Sequence, residues 1–225
     1  MTYQHLFVDG TSAQLPLGKV VCVGRNYAEH ARELNNPVTS EPLLFIKPST
    51  SVVPLSAPVV LSARRGPVHY ETEIALLIGE TLSGDVTEQQ AKRALAGIGL
   101  ALDLTLRELQ DQLKAKAHPW ERAKAFDGAC PLSVFIDPAH AAALNALPLM
   151  LKINGEVRQQ GSSADMITPI LPLLQHIAQV FTLLPGDVVI TGTPAGVGVL
   201  HAGDQLALSL GDLLKVTTEV TNEVA

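Results

Sequence analysis

Three acidic residues stand among apolar neighbours. Glu71 and Glu73 belong to the segment from His69 to Gly79, which reads as a strand that turns wholly apolar after Glu73. Alternate strand residues share a face, so the two carboxylates point the same way. Asp103 lies in the run from Gly99 to Leu106. Leu100, Leu102, Leu104 and Leu106 form one face there, and Asp103 lies between Ala101 and Thr105 on the other. Two carboxylates at about 4 Å repel by roughly 4 kcal/mol at an effective dielectric near 20. Three such acids meeting in a partly buried site must raise their pKa values or hold a cation. Oxygen-only donors suit Mg²⁺ or Mn²⁺. The plainer alternative is a solvated strand face, because an E-x-E spacing recurs by chance.

Other side chains could act on a bound molecule. His30 and Glu33 stand i, i+3 on a short helix, where a carboxylate beside an imidazole makes a general base. A surface ion pair would look the same. The surroundings are not HExxH, and no second His is placed for a zinc pair. Arg107 and Gln110 share the same spacing on the helix after Asp103. Lys124 has small neighbours that could desolvate it, while Trp120 reads as packing. Thr191-Gly-Thr-Pro-Ala-Gly-Val-Gly198 is a glycine-rich turn whose N–H groups could cradle an anion. It matches neither the P-loop nor the dinucleotide fingerprint.

The elements that must carry these groups are short and mostly strands. Lys19 to Gly24 and Leu43 to Ile46 read as strands, with a helix from Asn26 to Leu34 between them. Asn26 with Glu29 suggests a capping box, and Asn35-Asn36-Pro37 ends the helix. Residues 48–67 are rich in Pro and Ser and read as loops and edge strands. Thr87 to Gln90 opens a helix with a capping box, and Ile98 to Thr105 is a strand running into a helix to about Ala117. Asn154-Gly155 marks a hairpin. Thr168 caps a helix with Pro169 in its first turn, along which Leu173, Leu174, Ile177, Val180 and Phe181 recur. Turns at Pro185–Asp187, Gly203-Asp204 and Gly211-Asp212 each lead into a strand-like run. Regular βα alternation is missing, so the pattern predicts a mainly β, α+β roll. The 225 residues read as one domain, 1–225, with lead-in strands over 1–16.

Composition narrows the function. Sixteen Lys and Arg against 22 Asp and Glu give a net charge of −6, and the basic residues are scattered, so nucleic acid is not expected as a partner. Apolar content of 47% excludes disorder, and no apolar run reaches the ~18 residues of a membrane span. Cys22 and Cys130 have no CxxC spacing, and the N-terminus lacks a signal-peptide pattern. A cytoplasmic protein is expected.

Taken together, Gly24-Arg-Asn-Tyr27, Phe45-Ile-Lys-Pro48, His69-Tyr-Glu-Thr-Glu-Ile74, Leu102-Asp-Leu-Thr105 and Leu184-Pro-Gly-Asp187 running into the glycine-rich turn resemble the fumarylacetoacetate hydrolase family. The resemblance runs from Val20 to about Val216 and is strongest to the short single-domain members, which include acylpyruvate hydrolases and oxaloacetate decarboxylases. It implies a β-sandwich roll, a homodimer, and Mg²⁺ or Mn²⁺ held by Glu71, Glu73 and Asp103. It further implies a mobile lid over 26–36 carrying the His30 and Glu33 pair, and a substrate site formed by Arg25, Arg107, Gln110, Lys124, Gly192 and Thr193. The reaction it implies is hydrolysis of an acylpyruvate: His30, oriented by Glu33, activates water, Lys124 adds charge, and pyruvate leaves as a metal-stabilised enolate. Decarboxylation of oxaloacetate, or isomerisation of a related 2-oxo diacid, would use the same enolate. A non-catalytic small-molecule binder is the reading from another class.

Overall fold

The structure is a computed structural model that describes residues 3–34, 37 and 41–223. In chain order, β1 (Val20–Gly24), α1 (Ala28–Glu33), β2 (Leu43–Lys47), β3 (Val52–Pro54) and β4 (Val59–Leu61) come first. Then follow β5 (His69–Tyr70), β6 (Thr72–Ile78), α2 (Glu88–Arg93), β7 (Leu95–Leu102), α3 (Arg107–Ala115) and α4 (Glu121–Lys124). The second half holds β8 (Cys130–Leu132), β9 (Pro148–Ile153), β10 (Glu156–Ser162), α5 (Ile170–Val180), β11 (Val188–Ile190), β12 (Gly198–Val199), β13 (Gln205–Leu210) and β14 (Leu214–Asn222).

The strands build a mixed seven-stranded sheet, in the order β2-β1-β11-β6-β7-β8-β3, and a five-stranded sheet, β10-β9-β13-β14-β4. A small ribbon pairs β12 with β5. This is the mainly β roll expected from the sequence, a curled sheet with few helices. The Pro-rich 48–67 segment supplies β3 and β4, each at the edge of its sheet, where a missing N–H does no harm.

Every residue of β6 is buried, because the strand lies between β11 and β7 and both its faces are covered. Ile74, Leu76 and Ile78 face the core shared with Leu149, Leu151, Leu206 and Leu208 of the second sheet. Ala75 and Leu77 face a smaller cluster with Val20, Cys22, Val188 and Ile190. Tyr3, Phe7, Leu15 and Leu17 of the N-terminal segment pack onto that outer face. In place of the lead-in strands expected over 1–16, that segment makes the single bridges Leu6–Ser12 and Phe7–Phe135, closed by backbone bonds from Phe7 to Thr11 and Ala13 to His5 and tied to Phe135.

Several local expectations change. The helix after β1 has Tyr27 at its N-cap and no side-chain cap, because the Asn26 amide is engaged elsewhere: it donates to the Thr168 and Thr191 carbonyls and accepts from the Thr168 N–H. Pro169, not Thr168, is the N-cap of α5, and Val180 is exposed at that helix's end. Asn35 and Asn36 of the proposed helix stop lie outside the described residues. The Thr87–Gln90 capping box and the Asn154-Gly155 hairpin form as read, with φ of 53° and 84° at the turn. No helix among the described residues is long and apolar enough to cross a membrane.

Candidate active site and metal centre

The acidic residues meet because of strand register. β6 and β7 are antiparallel, with Glu73 opposite Ala101, and the pairing continues past the strand ends. The Asp103 N–H donates to the Glu71 carbonyl at 2.8 Å, and His69 bridges Thr105. Glu71 therefore sits opposite Asp103, with Glu73 the diagonal neighbour on the same face. Glu71 itself interrupts the expected single strand, separating β5 from β6, and Asp103 lies one residue beyond β7. All three are buried, and one carboxylate oxygen of each lies within 4.8 Å of the others.

Three cations stand against two of the carboxylates, Glu71 and Asp103. Lys124, on α4, donates to Glu71 Oε2 at 2.9 Å and to Asp103 Oδ2 at 2.7 Å. Arg107, at the start of α3, pairs with Glu71 Oε1. Lys47, at the end of β2, is wholly buried with Nζ 2.8 Å from Asp103 Oδ1. Its protons go to the carbonyls of Lys124, Ala129 and, more distantly, Leu104. Asp103 Oδ1 thus accepts no hydrogen bond despite its burial.

This asymmetry sets the acid strengths. Burial alone would raise the Glu71 pKa, but Lys124 and Arg107 overcome it and hold the carboxyl well below the usual range. Glu73 touches no cation; its Oε2 accepts the Gly192 N–H at 2.6 Å. Burial, with Asp103 and Glu71 beside it, pushes its pKa well above 4.5. Lys124 pays a desolvation penalty, yet Asp103 and Glu71 raise its pKa, so it stays an ammonium.

The donor set fits a hard divalent cation. It is oxygen-only and buried, and it includes an oxygen with lone pairs to spare. Glu71, Glu73 and Asp103 are the residues that could hold Mg²⁺ or Mn²⁺.

Of the eleven residues singled out from the sequence, nine line one cavity of about 40 Å³: Arg25, His30, Glu71, Glu73, Asp103, Arg107, Gln110, Lys124 and Thr193. Glu33 and Gly192 stand behind it. Glu33 receives His30 Nδ1 at 3.2 Å on one oxygen and the Gly196 N–H at 3.0 Å on the other. The pair is thereby anchored to the glycine-rich turn. Gly196 has φ of 101°, and a Cβ there would strike the Arg158 carbonyl, so this contact requires glycine. Gly192 is similarly constrained at φ of 94°, against Asn26. Its N–H is taken by Glu73, and the Thr193 hydroxyl donates to the Thr72 carbonyl at 2.9 Å. The turn as described here is thus braced inward and is not an open anion cradle. Arg107 donates to Gln110 Oε1 at 2.8 Å, which leaves the Gln110 amide protons for a ligand. Arg25 adopts a left-handed φ of 61°, a strained conformation for a residue other than glycine.

Sequence reasoning missed Lys47 and Gln159. Buried Gln159 on β10 accepts the Thr72 N–H at 2.9 Å and donates to Thr193 Oγ1 and the Pro194 carbonyl, each at 2.8 Å. It clamps the glycine-rich turn to β6 from the other sheet. A lone lysine among apolar strand residues was a signal for Lys47. Nothing in the local sequence marks Gln159.

A model of the fumarylacetoacetate (FAA) hydrolase C-terminal region matches residues 19–223. The chain belongs to the fumarylacetoacetate hydrolase family. Within that family it is 48% identical over 219 residues to the oxaloacetate tautomerase YcgM of Escherichia coli (strain K12), covering 97% of this chain and 99% of that one. It is 39% identical over 201 residues to the human mitochondrial oxaloacetate tautomerase FAHD1, covering 89% and 90%. A fumarylacetoacetate hydrolase family protein from Yersinia pestis CO92 superposes with a TM-score of 0.94 at 49% identity, over 97% of this chain and 100% of that one. The fumarylpyruvate hydrolase of Pseudomonas aeruginosa, solved with Mn²⁺ and pyruvate, superposes at 0.90 with 32% identity, over 99% and 97%.

Proposed function

We infer that the chain is a divalent-metal-dependent enzyme of small 2-oxo acids, and that its main reaction is keto–enol interconversion of oxaloacetate. The observation that carries this reading is one cavity in which an oxygen-only triad, a ring of fixed cations and a carboxylate-oriented histidine converge. Full-length likeness to two oxaloacetate tautomerases supports the choice of substrate.

Glu71, Glu73 and Asp103 would hold Mg²⁺ or Mn²⁺, which when bound supplies Lewis acidity toward the carboxylate and 2-oxo oxygens of the substrate. The chain's own groups do the rest. Arg107 and the free amide protons of Gln110 orient the 1-carboxylate. Lys124 remains charged, so it serves as a fixed positive charge beside the developing enolate oxygen and not as a base. His30, held by Glu33, takes a proton from C3 of the keto form, and the 2-oxygen gains one from solvent; the reverse sequence restores the ketone.

The experiment follows the loss of enol absorbance of oxaloacetate with purified protein and Mg²⁺. Rate acceleration that chelation removes and His30→Ala largely abolishes supports the reading. An equilibration rate equal to that of buffer sinks it and returns the non-catalytic binder to consideration.

Hydrolysis of an acylpyruvate is the second reading, favoured by the fumarylpyruvate hydrolase neighbour and by the same His30–Glu33 pair, which could activate a water. Pyruvate release from acetylpyruvate measures it. Decarboxylation needs no base at this position, so His30→Ala should spare it. The homodimer implied by the family resemblance belongs to the same proposal, and light scattering tests it.

A further inference from the structure

Arg107, Gln110 and Lys114 lie at i, i+3 and i+7 on α3, so one helix face runs from the acidic triad outward. All three line the cavity. The charges along that wall are not mixed. Among the described residues, the only acids lining the cavity are Glu71, Glu73 and Asp103, all at one end. Glu71 and Asp103 are paired with Lys124, Arg107 and Lys47, and Glu73 takes the Gly192 N–H. Lys114 belongs to none of these pairs. Its nearest described carboxylate is Asp111, an exposed residue 3.5 Å away on the outer side of the helix.

Lys114 is also held in place. Its ammonium sits 5.4 Å from the centre of the Trp120 ring, which in turn packs edge-on against Phe45 at 6.0 Å. Trp120 and Phe45 line the same cavity. Burial lowers the Lys114 pKa, and the Arg107 and Arg25 guanidiniums lower it further against the pull of Asp111. An anion arriving at this end would relieve repulsion that already exists.

We propose that Lys114, braced on Trp120, is the specificity-determining residue of this pocket and receives the second carboxylate of a short 2-oxo diacid. It would select diacids over 2-oxo acids with a neutral tail. This rests on the reading of the triad end as the site of the 2-oxo acid group. Lys114→Met would keep an unbranched apolar stem beside Trp120 but remove the ammonium and its contact with the ring.

The test is a set of calorimetric binding constants in Mg²⁺ for oxaloacetate, pyruvate and oxalate, with wild type, Lys114→Met and Lys114→Arg. Wild type should bind oxaloacetate at least ten-fold more tightly than pyruvate. Lys114→Met should remove that preference while leaving oxalate, which fills only the metal end, within two-fold, and Lys114→Arg should restore most of it. A preference that survives Lys114→Met overturns the proposal, as does an equal loss for oxalate. The functional reading is separable. If wild type shows the Lys114-dependent preference yet leaves the keto–enol rate of oxaloacetate at the solvent value, the subsite stands and the tautomerase reading falls.

Discussion

Glu73→Gln should make the metal-free protein more stable while destroying its response to metal. Glu73 is buried, faces two other carboxylates and has only a backbone N–H as partner. Two unit charges 4.8 Å apart repel by about 3.5 kcal/mol at an effective dielectric of 20. The alternative of holding the carboxyl protonated at pH 7, against an ordinary value of 4.5, costs at most about 3.4 kcal/mol. The cheaper route sets the penalty, and Lys124 nearby reduces it, so the gain from a neutral amide is about 1–3 kcal/mol. A glutamine oxygen can still accept the Gly192 N–H. For a chain of this length that gain is about 2–12 °C in Tm. Its pH dependence is diagnostic. A carboxyl whose folded-state pKa is raised costs nothing below pH 4.5, where folded and unfolded chains are both protonated. The cost grows as pH rises toward the folded-state value and is constant beyond it. Calorimetric melting of wild type and variant in chelator, from pH 4 to 8, should show the two curves diverging upward with pH. Wild type alone should then gain Tm in Mg²⁺, by the mass-action stabilisation of a ligand that binds only the folded state. A variant that melts lower than wild type in chelator at pH 7, or a difference independent of pH, refutes the electrostatic account of the triad.

Asp103 should behave in the opposite way, because it balances two buried lysines. Asp103→Asn leaves Lys47 and Lys124 short of a counter-charge and should cost about 3–5 kcal/mol in urea denaturation at pH 7. His30→Ala should lower turnover by about 10²–10⁴ while leaving Mg²⁺ binding, read by calorimetry, within two-fold. Gln159→Leu strands the buried Thr72 N–H and unlatches Thr193, so urea denaturation should show a loss of about 1–3 kcal/mol. The same variant should raise KM more than it lowers metal affinity, because the turn that braces Glu33 is loosened.

The sequence carried the site where chemistry and local periodicity coincide. Alternation puts Glu71 and Glu73 on one face whether or not the strand is continuous, so the break at Glu71 left the inference intact. The i, i+3 spacings of His30 with Glu33 and Arg107 with Gln110 are realised as contacts because both pairs lie on helices. Asn26 shows the limit of that reasoning. Its local fate was a helix cap, but bonds to Thr168 and Thr191, some 140 residues away or more, took its side chain instead. Gln159 was invisible for the same reason, and Lys47 was marked only as a lone lysine in an apolar strand: what they hold is set by sheet packing between distant segments. Lys124 carried only a weak local signal, its small neighbours, and its burial between two acids came from the placement of α4. The fold class followed from the shortness of the strands and the missing βα alternation, whereas strand order, with β1 beside β11, is a long-range outcome no window of sequence contains.

The most direct measurement is anomalous diffraction at the manganese edge from crystals grown with Mn²⁺ and oxalate. One peak should appear within coordination distance, about 2.0–2.3 Å, of a carboxylate oxygen from each of Glu71, Glu73 and Asp103. A peak that leaves any of the three beyond reach, or none at the triad with the ion in excess, contradicts a shared metal centre.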